Sequence, residues 1–323
     1  MARTEFRPLF RNPHVQTIAG HYWPRPRLGP QFPVERRLFR TDPGVQVLVE
    51  SQRPCAGHAG GVLMVHGLEG SSQAGYMLSF SAAALRAGYA AHRMNLRTCG
   101  GTEHLCPTLY HAGLTADLLS VAQQLRGAGC GPFYLVGFSL GGNVVLKLAG
   151  ELGESASGWL SGVCAVSTPL DLARCVRQIG RRENRLYEQR FVRRMRERMC
   201  ATRRFSRRDF DGLDSVFAVD DKITAPSFGF GDAENYYRTQ SAINYLQAIR
   251  TPTLLIQAKD DTFIPFEIFE RDEVRANPWI ELVATEYGGH LGFLGRSPHR
   301  LWIDAVIIEW IQTAGVKHGL LRA

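Results

Sequence analysis

The sequence predicts an α/β fold: a mostly parallel central sheet flanked by helices, with an inserted helical cap. Three observations predict it. From Gly61 onward, short apolar runs alternate with longer helical stretches, which is the pattern of βαβ units. The alternation lapses between about Asp171 and Ser241 and then resumes, as it would where a loop at the carboxyl edge of a sheet has grown into an insertion. And 323 residues, 45% hydrophobic and 21% charged, are enough chain for one large core.

In chain order, Gln31–Arg53 alternates around Val45, Val47 and Val49, which predicts an antiparallel hairpin added at the sheet edge. Buried strands are expected at Gly61–His66, Tyr89–Asn95, Phe133–Phe138, Gly162–Ser167, Thr253–Ala258 and Glu281–Thr285, because each is short and apolar. Between them, helices are expected at Ala74–Ala87, Ala112–Arg126, Gly142–Glu151, Phe266–Ala276 and Pro298–Gln312. The last carries Leu301, Ala305, Ile308 and Trp310 among acids, a one-face pattern. Within the interruption, Leu172–Gly180 and Leu186–Met199 read as arginine-rich helices, and Ala225–Tyr237, with its glycines, proline and aromatics, reads as a loop. The expected organisation is an N-terminal extension with edge strands over residues 1–56, a core over 57–170 and 241–323, and a cap over 171–240.

Composition excludes several classes. The mean hydropathy is −0.15 and there is no apolar run near the roughly 18 residues a membrane span needs, so a soluble chain is expected. The first twenty residues lack the apolar core of a secretory signal, which makes a cytoplasmic address the default. The seven cysteines are odd in number and form no CxxC pair, so they read as reduced thiols. The formal charge of +8 is unevenly spread: Asp171–Asp211 holds 14 arginines, no lysine and six acids, and the rest of the chain is neutral overall.

Gly137-Phe138-Ser139-Leu140-Gly141 falls between a predicted strand and a predicted helix, the context of a nucleophile elbow. Glycine is needed there because a side chain two residues either side of a serine on so sharp a turn would strike the neighbouring strand or helix. The turn also lifts the hydroxyl to a helix N-terminus, whose amides favour developing negative charge. Such a serine needs a base, and His290 is the candidate, since it follows Gly288-Gly289 on a loop after the last strand. Of the other histidines, His66 at a strand end reads as structural, while His104 and His111 could line the site without taking part in chemistry. The acid should follow the preceding strand, where Asp260 and Asp261 stand side by side. Asp261 is chosen because it lies four residues before Pro265, which opens the next helix, and Asp260 is the alternative. The order Ser139, Asp261, His290 is that of the α/β-hydrolases, and differs from the trypsin-like and subtilisin-like orders. Backbone amides of Leu140, directly after the serine, and of Leu68, in the turn His66-Gly67-Leu68-Glu69-Gly70-Ser71, are the expected oxyanion donors.

Several of these segments, together with Pro13-His14-Val15-Gln16-Thr17-Ile18, Asn95-Leu96-Arg97-Thr98-Cys99-Gly100-Gly101, Tyr110-His111-Ala112-Gly113 and Gly137-Phe138-Ser139-Leu140-Gly141-Gly142-Asn143, resemble the YheT-like branch of the α/β-hydrolases, a branch that also contains membrane-anchored eukaryotic lipases. The resemblance runs from about residue 8 to 312. It implies a serine hydrolase acting on carboxylic esters, with Ser139, Asp261 and His290 in the family's triad positions.

The expected activity is cleavage of small-molecule esters of short to medium acyl chains through an acyl-enzyme. Two alternatives stand beside it: a monoacylglycerol or phospholipid lipase at a membrane surface, and a catalytically silent binding protein of the same fold. The arginines read first as a solvated cap and second as a weak contact with anionic membrane. A nucleic-acid partner is not expected, because aromatics are sparse among the arginines. No metal is expected, since HExxH is absent and the Cys99/Cys106 and His104/His111 spacings fit no common ligand set. No cofactor is expected either, as the chain has neither GxGxxG nor GxxxxGK[ST]. No feature of the sequence sets an oligomeric state.

Overall fold

Eight short segments pair into one sheet in a computed structural model that describes residues 5–26, 28–54, 57–127 and 131–317. They are β1 (Glu35–Asp42), β2 (Val45–Gln52), β3 (Gly61–Val65), β4 (Ala90–Met94), β5 (Phe133–Phe138), β6 (Leu160–Val166), β7 (Thr253–Ala258) and β8 (Ile280–Thr285). The spatial order is β1-β2-β4-β3-β5-β6-β7-β8. β1 and β2 form the expected antiparallel hairpin, and β2 joins β4 antiparallel. All later pairings are parallel. β3, β4, β5 and β7 are buried at every residue, which is why β3 and β5 read as apolar runs, while β4 buries His92 and Arg93.

The helices are α1 (Pro13–Tyr22), α2 (Gly75–Arg86), α3 (Ala116–Gly127), α4 (Leu140–Leu152), α5 (Leu172–Ile179), α6 (Arg185–Ala201), α7 (Ala233–Gln240) and α8 (Trp302–Lys317), with shorter helical turns between them. One face of the sheet packs on α2 and α8, through Met77, Phe80, Ile303, Val306 and Ile307. The other packs on α3 and α4, through Leu118, Val121, Val144 and Val145. A separate apolar cluster, including Val192, Met195, Met199, Phe210, Val216 and Val219, holds the arginine-rich stretch together.

The C-terminal helix, expected over Pro298–Gln312, runs from Trp302 to Lys317, and four further expectations change. α1 had no counterpart in the sequence reading. Asn12 caps it, accepting from Val15 N, and Pro13 opens it. The expected loop Ala225–Tyr237 instead contains a helical turn at Ala225–Ser227 and the first half of α7. Asp232 caps α7 by accepting from Asn235 N at 2.8 Å, and Ala233, Tyr236 and Tyr237 are buried along it. The expected helix Phe266–Ala276 is broken at Arg271 into a 3₁₀ turn, Phe266–Glu270, and a short helix, Asp272–Arg275. Ile268, Phe269 and Val274 are all buried; on one continuous helix Val274 would lie about 240° around from Ile268, and the break turns both inward. Finally, α3 starts at Ala116 rather than Ala112, because Ala112 N donates to Tyr236 Oη and Ala112 O accepts from Asn143 Nδ2.

Cys99, Cys106, Cys164, Cys175 and Cys200 are free thiols, while Cys55 and Cys130 lie outside the described residues. Among the described residues no helix is long and apolar enough to cross a membrane.

Candidate active site

Ser139 sits between β5 and α4 with φ +52° and ψ −123°, a conformation that L residues adopt only under tight constraint. The constraint is visible: a Cβ at Gly137 would strike Gly141, one at Gly141 would strike the backbone of Val65, and one at Gly142 would strike Thr168. The elbow is thus pressed between β3, α4 and the segment after β6. Its amide is tied down as well, since Ser139 N donates to Val166 O at 2.9 Å.

His290 Nε2 lies 3.0 Å from Ser139 Oγ, and its Nδ1 lies 3.1 and 3.0 Å from the two carboxylate oxygens of Asp261. The loop that carries it is held from three sides. His290 N donates to Thr17 Oγ1 of α1 at 2.8 Å, Leu291 N donates to Ser167 Oγ at 3.2 Å, and Gly289 N donates to Asp260 Oδ1 at 2.8 Å. The imidazole packs on the Phe263 ring with centroids 4.6 Å apart. Gly288 and Gly289 take positive φ, and a Cβ on Gly289 would collide with Thr17 and Pro13, so the loop can approach α1 only with glycine there.

The two aspartates are separated by geometry. The buried Asp261 carboxylate accepts from Phe263 N at 2.9 Å, Ile264 N at 3.2 Å and Gln257 Nε2 at 3.2 Å, in addition to facing the ring. Asp260 meets the histidine loop through the loop backbone, chiefly the Gly289 amide, and does not face the imidazole. Burial pushes the Asp260 carboxyl above the ordinary range, against the Gly289 amide and with the help of the neighbouring Asp261 charge.

Leu68 and Leu140 both line a small cavity beside Ser139 and His290. In the turn after β3, Gly67 N donates to Tyr76 Oη at 3.0 Å and Glu69 N to Tyr110 Oη at 3.1 Å, while the intervening Leu68 amide finds no acceptor among the described residues. Burial raises both phenols above their usual pKa, Tyr76 to about 12, so they stay protonated. His66 is fully buried, accepts from Leu96 N at 3.1 Å, and is pushed down to about 4 by burial, so it is a neutral structural group. His104 and His111 do not line the cavity, and His111 packs edge-on among Phe228, Phe230 and Tyr236.

The cavity measures about 70 Å³ and is lined by Leu172, Cys175, Val176 and Ile179 from α5 and by Phe191 from α6. Besides Ser139 and His290, its polar lining groups are Asp220 and Tyr237, joined by a 2.7 Å hydrogen bond from the phenol to the carboxylate. Burial pushes Asp220 up to about 6, against that hydrogen bond.

A family model described as the alpha/beta hydrolase family matches residues 62–304. The chain belongs to this family. The YheT-like resemblance holds too: the chain is 30% identical to "Putative esterase YheT" of Escherichia coli, over 96% of this chain and 93% of that one. It is also 27% identical to "Phospholipase ABHD3" of Mus musculus, over 96% of this chain and 82% of that one, and 27% identical to "Monoacylglycerol lipase" of Saccharomyces cerevisiae, over 78% and 58%. The esterase Pf2001 of Pyrococcus furiosus shares the fold, with a TM-score of 0.57 at 17% identity, over 90% of this chain and 98% of that one.

Against the α/β-hydrolase framework, the sequence reading missed the groups that hold the site from outside it. Thr17 lies in the motif His14-Val15-Gln16-Thr17 that carried the resemblance, but nothing in its spacing connects it to a loop 273 residues away. Tyr76, Tyr110 and Asp220 meet groups 9, 41 and 17 residues away, at separations that follow no motif spacing.

Proposed function

We propose that this chain is a serine hydrolase that cleaves carboxylic esters of short to medium acyl chains through an acyl-enzyme. The observation that carries the proposal is the hydrogen-bonded series from Ser139 Oγ through His290 to Asp261, mounted on a strained elbow. In this mechanism Ser139 attacks the ester carbonyl while His290 Nε2 takes its proton, and Asp261 holds the Nδ1–H tautomer and stabilises the imidazolium. The amides of Leu68 and Leu140 donate hydrogen bonds to the oxyanion. His290 then protonates the leaving alcohol, and water attacks the acyl-enzyme along the same route.

Residues 171–240 act as the cap over this site, and their side chains set the acyl pocket. The cavity is small, about 70 Å³, which favours short acyl groups while α5 and α6 stay in place. Hydrolysis of p-nitrophenyl esters from acetate to palmitate, by wild type and Ser139→Ala, tests the proposal. The expected result is Ser139-dependent turnover highest at short chains. No turnover at any length would instead favour a silent binding protein.

A second reading, a lipase working at a membrane surface, is favoured by α1. That helix buries Gln16, Thr17 and Gly20 and exposes Val15 (45%), Ile18 (49%) and Tyr22 (68%) on one side, the reverse of an ordinary surface helix. The exposed side adjoins α6, where His14 meets Tyr187, Arg190 donates to Tyr22 Oη, and Leu186 is 81% exposed. Apolar groups set among arginines suit an anionic lipid interface. A sharp rise in activity above the aggregation concentration of a long-chain substrate, absent in Ile18→Ser with Leu186→Ser, is the outcome this reading requires.

A further inference from the structure

Glu69, the residue after Leu68, adopts φ +53°, and each of its polar groups is held. Its amide donates to Tyr110 Oη at 3.1 Å, and the same hydroxyl donates back to Glu69 Oε1 at 3.0 Å. Its carbonyl accepts from Arg194 at 3.3 Å. Its carboxylate is gripped by Arg198, whose Nε lies 2.9 Å from both oxygens and whose second nitrogen lies 2.8 Å from Oε1. Arg198 also donates to Thr98 Oγ1 at 2.8 Å and stacks over the Tyr110 ring at 4.7 Å. Thr98 itself takes φ +62°. Both arginines belong to α6, 125 and 129 residues further along the chain.

The Glu69 and Arg198 side chains are 3% and 7% exposed. An ion pair this buried is a poor source of net stability, since desolvation consumes most of the attraction and apolar residues of similar volume commonly do as well. What it does supply is direction: a guanidinium fork fixes a carboxylate in position and in plane. Here the carboxylate belongs to the left-handed residue directly after Leu68, which lines the cavity shared with Ser139.

We propose that Arg198 and Glu69 are a positioning pair through which the α6 helix holds the Leu68 amide in register with Ser139, so that docking of the cap and competence of the oxyanion site are one event. The inference rests on the serine-hydrolase reading and on Leu68 as an oxyanion donor. Its consequence is that damage to the pair is felt when the tetrahedral oxyanion forms and hardly at all when substrate binds.

The test is steady-state hydrolysis of p-nitrophenyl butyrate by wild type, Arg198→Met, Glu69→Gln and the milder Tyr110→Phe. Inhibition by a trifluoromethyl ketone, which forms a tetrahedral adduct, and by butyrate, which does not, is measured alongside. The expected result is a fall in kcat on the order of 10²-fold in Arg198→Met, comparable to the loss of one oxyanion donor, with KM within about threefold. Affinity for the ketone falls in parallel and affinity for butyrate is unchanged. Arg198→Lys restores part of kcat. The double variant Glu69→Gln with Arg198→Met costs no more than the worse single one. If the variants fold and keep kcat within twofold, or if KM rises alone, the pair is not a positioning pair. If Arg198→Met fails to fold, Tyr110→Phe decides by the same split between kcat and KM. A wild-type protein without Ser139-dependent turnover overturns the hydrolase reading and the inference together, whereas normal wild-type turnover with unaffected variants overturns the inference alone.

Discussion

Replacing Asp261 with asparagine separates the roles of the two adjacent acids. Asp261 Oδ1 accepts two backbone amides, Phe263 N and Ile264 N, and lies 3.1 Å from His290 Nδ1, whereas Oδ2 faces Gln257 Nε2 and lies closer to His290 Nδ1, at 3.0 Å. An asparagine here must keep its oxygen toward the two amides, so its NH₂ replaces Oδ2 and confronts the imidazole with a donor. His290 then accepts at Nδ1 and carries its proton on Nε2, pointing at Ser139, where it can no longer take the serine proton. Loss of the correct tautomer in a serine triad costs about 10⁴-fold, or about 5 kcal/mol of transition-state stabilisation. Asp260→Asn keeps an oxygen for the Gly289 amide and should cost less than about tenfold, near 1 kcal/mol. The assay is kcat/KM for p-nitrophenyl butyrate, with folding checked by thermal unfolding. Equal losses in the two variants, or a larger loss at Asp260, would refute the assignment of Asp261.

Further outcomes follow from the walls and supports of the site. Phe191→Ala opens the small cavity from α6 and should move the acyl-chain optimum to longer esters, and an unchanged chain-length profile would show that Phe191 does not limit the pocket. Thr17→Val removes the acceptor of the His290 amide; an orphaned amide costs about 1–3 kcal/mol, so the unfolding midpoint and kcat/KM should both fall. Asp304 is buried, and burial pushes its carboxyl up to about 7, with Arg25 and the Ser79 hydroxyl opposing. The folded state therefore holds this proton more tightly than the unfolded state does, so the group's contribution to stability declines as pH rises from about 4 to about 7. Asp304→Asn should flatten that decline and raise the unfolding midpoint at pH 8, and a lower midpoint at pH 8 would contradict it.

The legible parts of the chain were those whose constraints are local. Strands buried on both faces are mostly apolar, and β3 and β5 announce themselves in that way. The Ser139 elbow packs glycine, serine and glycine within five residues because contacts inside the turn demand it, and Gly288-Gly289-His290 does the same for the histidine. α1 escaped because its pattern is inverted, with Gln16 and Thr17 bonding inward to Leu294 and His290 while valine and isoleucine face out. Its capping residues Asn12 and Pro13 were the only signal available. The break at Arg271 went unseen because apolar residues at 268, 269 and 274 look helical until their angular positions are compared. The ties from Glu69 to Arg198 and from Thr17 to His290 span 129 and 273 residues, so no spacing rule could join them.

The central claim, that Ser139 is the nucleophile of an acyl-transfer site, is tested most directly by treating the protein with a fluorophosphonate and locating the adduct by peptide mass spectrometry. The account predicts one adduct, on Ser139, forming rapidly in wild type, slowly in Asp261→Asn and not at all in Ser139→Ala. An adduct on another residue, or undiminished ester hydrolysis by Ser139→Ala, would contradict it.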